Sequence, residues 1–284
     1  MNFQEEYNKI VKPVDNEISK VIDNLSNIIK LEEPLKSKVS TIINAPSKHI
    51  RSTVSFLFLK AIGKDIDERQ INLQTAIELV HNASLIHDDI IDESSVRRKV
   101  QTINSSFGNK MGVISGDYIL SVALNKICKL KSFEIIELFS TTLDEMCQGE
   151  VNQYFNKFQI PTLKDYIKKT EQKTAKLFET AMCSSAILSE SKISPKEFAK
   201  NFGIAFQIRD DLINIQTTKT DINDGIYTAP IIFSGSIEQF ENGIEKTKTL
   251  LNNYINRAIK SIDKIEENVY KVALLKLLEL LENG

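Results

Sequence analysis

Two short acidic segments lie far apart in the chain, each at the end of an apolar stretch. Their polar residues are spaced in the same way. Two adjacent carboxylates are followed, three residues later, by a third oxygen-bearing side chain. Asp88 and Asp92 lie one helical turn apart on one face, and a helix C-terminus already carries partial negative charge. Such a helix end needs a compensating cation. The six positions are Asp88, Asp89 and Asp92 in the first segment and Asp210, Asp211 and Asn214 in the second.

Magnesium would meet this need. Mg²⁺ prefers oxygen ligands, keeps several waters and is commonly held by one or two carboxylates together with substrate phosphate oxygens. Two acidic helix ends that face each other would hold a cluster of Mg²⁺ ions and, through them, a diphosphate. One such motif alone is more often a solvated helix end than a site. Two of them in one helical chain favour a site.

The elements that must position these residues are helices. The 10 glycines and 6 prolines are under half of the roughly 12% that is usual, which disfavours a turn-rich β-sandwich or barrel. Apolar residues recur with helical spacing in long segments, and strict strand-like alternation is nearly absent. We predict one all-α domain spanning residues 1–284, with about ten helices joined by short loops. The first would lie near residues 3–30 and the last near 264–282.

Composition excludes several other classes of protein. With 36 Lys and Arg against 38 Asp and Glu, the formal charge is −2, and a nucleic-acid binder would usually carry a basic domain or stripe. The three cysteines are odd in number and widely spaced, so they predict neither a disulfide framework nor a zinc site. The N-terminus lacks a signal-peptide pattern and no apolar stretch is long enough to span a membrane. We therefore expect a cytoplasmic protein that does not bind nucleic acid.

Several short blocks follow one another in a fixed order between about residues 45 and 231. They are Lys48-His-Ile-Arg51, His81 to Asp92, Arg97-Arg98, Phe107-Gly108, Ser115-Gly-Asp117, Lys173-Thr-Ala and Phe206 to Asp211. In their order and spacing these blocks resemble the all-trans polyprenyl diphosphate synthases, with a pattern closest to the medium- and long-chain, octaprenyl-type enzymes.

The resemblance implies a helical bundle of the isoprenoid synthase type with a central apolar cavity, forming a homodimer. It implies an enzyme that uses Mg²⁺ to ionise an allylic diphosphate and condenses it with isopentenyl diphosphate, giving a medium- or long-chain all-trans polyprenyl diphosphate. Chemistry agrees, because ionisation leaves a highly charged diphosphate that cations must stabilise and an allyl cation that must be kept from water. Transient membrane contact during product release is left open.

Residue roles follow from the resemblance, position by position. Each lysine or arginine alone would be read as a surface charge, and His81 alone as a buried core histidine. The implied Mg²⁺ ligands are Asp88, Asp92 and Asp210, supported through metal-bound water by Asp89 and Asp211. The implied contacts to the allylic diphosphate are Arg97, Lys173, Gln207 and Lys219, with Thr174 as a further substrate contact. The implied pocket for isopentenyl diphosphate consists of Lys48, Arg51, His81 and Arg98.

Product length is expected to depend on the residues that precede Asp88 on its helix. In the family a large aromatic residue five positions before the first aspartate closes the cavity at short products, whereas Ala83 would leave it open. Val80, Leu79 and Ala76 share that helix face. By resemblance the product has about six to nine isoprene units. The alternative is that Ala83 only permits close helix packing.

The chain departs from the family pattern at several positions. Pro46 and Ser47 stand where the family has glycines, Asn214 replaces the third aspartate of the second segment, and Ile226 replaces a lysine near the leaving diphosphate. These losses leave two alternatives to an active synthase. One is a weakly active or non-catalytic subunit of a heteromeric synthase. The other is a terpene cyclase, which is disfavoured because a cyclase needs no second diphosphate pocket.

Overall fold

Helices form almost the whole of the structure, a computed structural model that describes residues 3–283. This confirms the predicted all-α class. Within that range the α-helices are α1 (Phe3–Val11), α2 (Asp15–Ser26), α3 (Leu35–Ile43), α4 (Ile50–Ala61), α5 (Glu68–Ile91), α6 (Ile103–Phe107), α7 (Asn109–Lys129), α8 (Phe133–Phe155), α9 (Leu163–Thr170), α10 (Lys176–Leu188), α11 (Lys196–Gln216), α12 (Thr220–Asn223), α13 (Ala229–Ser234), α14 (Glu241–Ser261) and α15 (Val269–Asn283).

The first helix is shorter than the sequence analysis predicted. Instead of one helix over residues 3–30, α1 ends at Val11, a 3₁₀ turn covers Lys12–Val14, and α2 begins at Asp15. Pro13 explains the break, because proline has no N–H to donate and its ring clashes with the carbonyl four residues earlier.

The last helix begins at Val269, later than the predicted residue 264. Asn268 Oδ1 accepts hydrogen bonds at 3.0 Å from the backbone N–H groups of Tyr270 and Lys271, which makes Asn268 an N-cap. The described helices also outnumber the ten predicted. α6, α12 and α13 have only four to six residues, too few for a 3.6-residue period to show.

Helix α5 carries the first acidic segment and is surrounded by other helices. It contacts α2, α4, α6, α7 and α10, and side chains around most of its circumference are buried, including Leu73, Ile77 and Val80. Asp67 caps its start by accepting a hydrogen bond from Gln70 N at 2.9 Å. These buried side chains belong to the largest apolar core cluster of the described chain, which fixes the position of α5.

A small β-ribbon follows α5 and carries two of the predicted site arginines. β1 (Val96–Arg97) pairs antiparallel with β2 (Val100–Gln101), through a turn in which Arg98 and Lys99 have φ of 50° and 65°. Such hairpin turns normally use glycine or asparagine. The ribbon folds back on α5, so that Arg97 meets the acidic helix end.

A π-helical segment, Glu171–Ala175, joins α9 to α10 and contains Lys173 and Thr174. α11 passes close to it at Gly203, where a Cβ atom would lie only 2.5 Å from Ala175 Cα. Glycine is therefore required for this approach. Among residues 3–283, no helix combines the length and apolar character needed to cross a membrane.

Candidate active site

One cavity of about 570 Å³ gathers most of the predicted site residues; we call it the charged cavity. Its walls come from the start of α4, the C-terminal half of α5, the β-ribbon, the π-helical segment and α11. The predicted residues on its walls are Lys48, Arg51, His81, Asp88, Arg97, Arg98, Lys173, Thr174, Gln207 and Asp210. Both acidic segments, 122 residues apart in the chain, thus contribute a carboxylate to one space.

Asp88 and Asp210 are the carboxylates that face this cavity. Desolvation raises the pKa of Asp88 to about 6, against the lowering effect of Lys173. Desolvation likewise raises the pKa of Asp210 to about 6, against the lowering effect of Arg209. Neither carboxylate is fully compensated by the protein's own cations, so both would gain from a bound divalent cation.

The donor set fits Mg²⁺ held jointly with a substrate. Among the described residues, no three His, Cys, Asp or Glu side chains come close enough to hold an ion unaided. Mg²⁺ commonly takes one or two carboxylates, with water and phosphate oxygens completing its shell. Asp92, the residue that ends α5, is exposed, and its pKa is raised by desolvation and by Glu150.

Asp89 and Asp211, the second residues of the two segments, are buried in protein contacts instead. Asp89 Oδ1 accepts a hydrogen bond from Arg97 Nε at 2.6 Å. Asp211 accepts hydrogen bonds from Tyr166 Oη at 2.6 Å and from Gln207 Nε2 at 2.8 Å. Both carboxylates are less than 5% exposed. They fix the helix ends and the side chains around them, and neither lines the charged cavity.

Asn214 brings in a carboxylate that the sequence analysis missed. Its Nδ2 donates hydrogen bonds to Thr220 Oγ1 at 2.7 Å and to Asp221 Oδ1 at 3.2 Å. Desolvation and the nearby Asp211 raise the pKa of Asp221 to about 6, and Asp92 adds to the rise. A carboxylate, that of Asp221, therefore lies beside the uncharged Asn214. The only sequence signal was an aspartate shortly after the motif, which is too common to select.

The charged cavity is also lined by cations. Arg51 is half-buried, its buried Nε has no hydrogen-bond partner among the described residues, and desolvation lowers the pKa of its guanidinium to about 10. Burial and the neighbouring Arg51 hold the pKa of His81 well below its usual range, so this imidazole is neutral. Burial also lowers the pKa of Lys48 and of Arg98. A bound anion would relieve each of these positive charges.

Lys173 lines both the charged cavity and a second cavity that adjoins it. Its Nζ pairs with Glu150 on α8, a second acid that the sequence analysis did not select. The neighbouring Thr174 Oγ1 donates a hydrogen bond to Gln207 Oε1 at 2.6 Å. Lys219, by contrast, does not line the charged cavity, and its Nζ lies 5.2 Å from the centre of the Phe240 ring. For the predicted contact of Lys219 with diphosphate, the loop between α11 and α12 would have to move.

A second cavity, of about 340 Å³ and mainly apolar, adjoins the first; we call it the apolar cavity. The two cavities share four residues on their walls: Ser84, Asp88, Met146 and Lys173. Of the predicted length-determining residues, Ala83 and Val80 line the apolar cavity. Ala76 and Leu79 are fully buried and lie off its wall.

Comparison with known proteins identifies the chain. The polyprenyl synthetase family profile matches residues 32–272. A decaprenyl-diphosphate synthase of Dictyostelium discoideum is 32% identical, over 95% of this chain and 70% of the relative. The chloroplastic solanesyl diphosphate synthase 2 of Arabidopsis thaliana is 30% identical, over 92% of this chain and 73% of the relative.

The fold matches as well. A crystal structure of a polyprenyl synthase from Caulobacter crescentus, complexed with calcium and isoprenyl diphosphate, superposes with a TM-score of 0.88 over 98% of each chain at 20% identity. The chain therefore belongs to the polyprenyl synthetase family and is a polyprenyl diphosphate synthase, as the resemblance in its sequence implied.

Proposed function

We propose that this prenyltransferase uses Mg²⁺ to ionise an allylic diphosphate and condenses it with isopentenyl diphosphate to make a medium- or long-chain all-trans polyprenyl diphosphate. The observation that carries the proposal is the arrangement of charge. One cavity brings Asp88 and Asp210 together with several lysines and arginines, and it shares Asp88 with an adjoining apolar cavity.

Each group has a role in the reaction. Asp88, Asp92 and Asp210 would hold Mg²⁺, and the bound ions would stabilise the charge that develops on the departing diphosphate. Arg97, Lys173 and Gln207, with Thr174 bonded to Gln207, orient the allylic diphosphate. In this proposal Asp89 and Asp211 position the metal ligands beside them.

A group of cations on the walls of the charged cavity holds the second substrate. Lys48, Arg51 and Arg98 bind the diphosphate of isopentenyl diphosphate, and neutral His81 donates one further hydrogen bond. Isopentenyl diphosphate then lies between these cations and the allylic carbon. The growing tail enters the apolar cavity, whose wall keeps water from the allyl cation.

The decisive experiment incubates the purified chain with Mg²⁺, labelled isopentenyl diphosphate and allylic starters of ten, fifteen or twenty carbons. Chain-length analysis should find all-trans products longer than twenty carbons. A chain that is inert alone and active only with a homologous partner would support the subunit alternative. A cyclic hydrocarbon made from the starter alone would support the cyclase alternative.

Product length gives a second test of where the tail lies. Ala83→Tyr places a ring on the wall of the apolar cavity, so the product should shorten toward fifteen or twenty carbons while the first condensation persists. Ala83→Ser is the control for a change of residue without added bulk. An unchanged product from a folded, active Ala83→Tyr enzyme would show that the tail runs elsewhere.

We also propose a homodimer located in the cytoplasm. Helix α7 exposes Val113, Ile114 and Leu124, each more than a third exposed, which supports contact between two copies along α7. Sedimentation analysis tests the dimer, and Ile114→Glu should weaken it. Cell fractionation tests the location.

A further inference from the structure

The turn that enters α4 holds two cations of the proposed isopentenyl diphosphate pocket, and its backbone is unfavourable. His49, between Lys48 and Arg51, has φ 46° and ψ 40°. A residue other than glycine in this left-handed region is strained and persists only where its surroundings hold it. The chain has no glycine in the turn, so other contacts must fix it.

Those contacts come mainly from Glu78 on α5. His49 Nδ1 lies 3.0 Å from Glu78 Oε2, and Ser52 Oγ donates to Glu78 Oε1 at 2.7 Å. The His49 and Glu78 side chains are 9% and 3% exposed. Both oxygens of one buried carboxylate are thus bound by the start of α4.

A second clamp acts on the backbone of the same turn. Tyr7 Oη donates a hydrogen bond to the Lys48 carbonyl oxygen at 2.6 Å and also contacts Thr53 Oγ1 at 3.1 Å. Lys48 lines the charged cavity, and its Nζ lies 4.0 Å from the centre of the Phe3 ring. The turn is therefore held by its backbone on one side and by His49 on the other.

Glu78 also faces the remaining cations of this pocket. Burial opposes the ionisation of Glu78, but the hydrogen bonds from His49 and Ser52 help to lower the pKa of Glu78 to about 2. The resulting anion attracts Arg51 and Arg98. Glu78 precedes His81 by three residues, so the two share a face of α5.

We propose that His49 is a positioning residue for the second substrate: through its hydrogen bond to Glu78 it holds the turn that presents Lys48 and Arg51 to the diphosphate of isopentenyl diphosphate. This inference rests on the proposed function. His49 acts through the turn and does not itself have to touch the substrate.

Three variants separate the hydrogen bond from the backbone. His49→Gly accepts the left-handed conformation and removes the hydrogen bond. His49→Asn also tolerates that conformation, and its Nδ2 occupies the branch position of the imidazole Nδ1, so it keeps a donor. Lys60→Gln is the matched control, because it breaks the Lys60–Glu17 ion pair at the far end of α4.

We expect His49→Gly to raise the KM for isopentenyl diphosphate about tenfold, with the KM for the allylic substrate and kcat within about twofold of the parent. His49→Asn should recover most of the loss, and Lys60→Gln should leave both KM values unchanged. Calorimetric titration with isopentenyl diphosphate alone should show the same order of affinities.

Two results would overturn the positioning role while leaving the proposed function intact. One is a parental KM for isopentenyl diphosphate in His49→Gly, and the other is an equal change in both KM values and in kcat. If His49→Gly does not fold, Ser52→Ala removes the other hydrogen bond to Glu78 and should raise the same KM. A parent enzyme that neither binds nor consumes isopentenyl diphosphate would refute the proposed function itself, and this inference with it.

Discussion

The two acidic helix ends have one spacing and two different structures. In α5 and in α11 the first aspartate, Asp88 or Asp210, faces the charged cavity with a raised pKa. In each helix the second aspartate is buried and hydrogen-bonded to the protein. The ends differ at the third position, where Asp92 is an exposed carboxylate and Asn214 donates its amide to Asp221.

This comparison divides each motif into a residue for binding and a residue for support. A buried carboxylate that already accepts hydrogen bonds from the protein, one for Asp89 and two for Asp211, has fewer lone pairs for a metal than one that faces a cavity. In the second motif, the carboxylate nearest the third position is that of Asp221 on α12, which accepts a hydrogen bond from Asn214. The following predictions test that division, beginning with the largest expected effect.

Loss of either cavity-facing aspartate should abolish most of the activity. Asp88→Ala and Asp210→Ala each remove a ligand from ions worth several kcal/mol to the transition state, so kcat should fall about a thousandfold. Steady-state rates at saturating Mg²⁺ measure this, with circular dichroism to confirm folding. Near-parental turnover in either variant would refute the metal-site proposal.

Loss of support for Asp211 should mainly lower stability. Tyr166→Phe removes the hydroxyl that donates to the buried Asp211, and the free energy of unfolding should fall by about 2 kcal/mol. Urea denaturation measures the change. Tyr154→Phe is the control, because Tyr154 is 56% exposed and its hydroxyl can bond to water. Equal stability in the two variants would contradict the supporting role.

Asp221 should matter more than the motif position that it replaces. Asp221→Asn should raise the Mg²⁺ concentration for half-maximal activity about tenfold, the equivalent of ~1.4 kcal/mol. Asn214→Asp would set two carboxylates against each other where an amide now donates at 3.2 Å, so any gain should stay within about threefold. Metal titrations of both variants decide between them, and the reverse ranking would place the site's charge at position 214.

Protonation should control metal binding in the acidic pH range. The pKa values of Asp88 and Asp210 rise from 3.8 to about 6 on folding, so the folded state binds more protons than the unfolded chain between these values. Their contribution to the stability of the metal-free protein is therefore lost as the pH rises through this window. Mg²⁺ needs the deprotonated forms. Thermal unfolding with Mg²⁺ and diphosphate should show a larger increase in Tm at pH 7.5 than at pH 5, and equal increases would contradict the assignment.

Much of this arrangement could be predicted from the sequence, because the helices depend on local spacing and the site residues stand in motifs that resemble those of a known family. The all-α class followed from apolar periodicity, and ten predicted site residues do line one cavity. Glu78, Asp221 and Glu150 could not be selected in the same way. Each becomes notable only through a partner distant in the chain or on another helix, and single acidic residues are too common to stand out. Glu78 left the clearest trace, as an acid one helical turn before His81 in an apolar helix.

Some individual contacts could not be predicted from the sequence, because they depend on how distant elements pack together. Helix periodicity predicts that Leu79 and Ala76 share a face of α5 with Ala83. Periodicity does not show how far the cavity extends along that face, because neighbouring helices set its limit. Lys219 was assigned by its position in a motif, but its φ of 52° and the Phe240 ring direct it elsewhere. Such details depend on packing between elements.

The π-helical segment Glu171–Ala175 makes this part of the chain sensitive to length as well as to residue type. A π-helical turn contains about one residue more than an α-helical turn. The side chains of α10 are therefore rotated by about 100° about the helix axis, relative to those of α9, compared with an uninterrupted α-helix. Tyr166, before the segment, reaches Asp211, while Lys173 within it reaches Glu150 and the cavity walls. Deleting one residue of this segment would restore a regular α-helix. It would also rotate α9 relative to α10, so that the Tyr166–Asp211 and Lys173–Glu150 contacts could no longer both form.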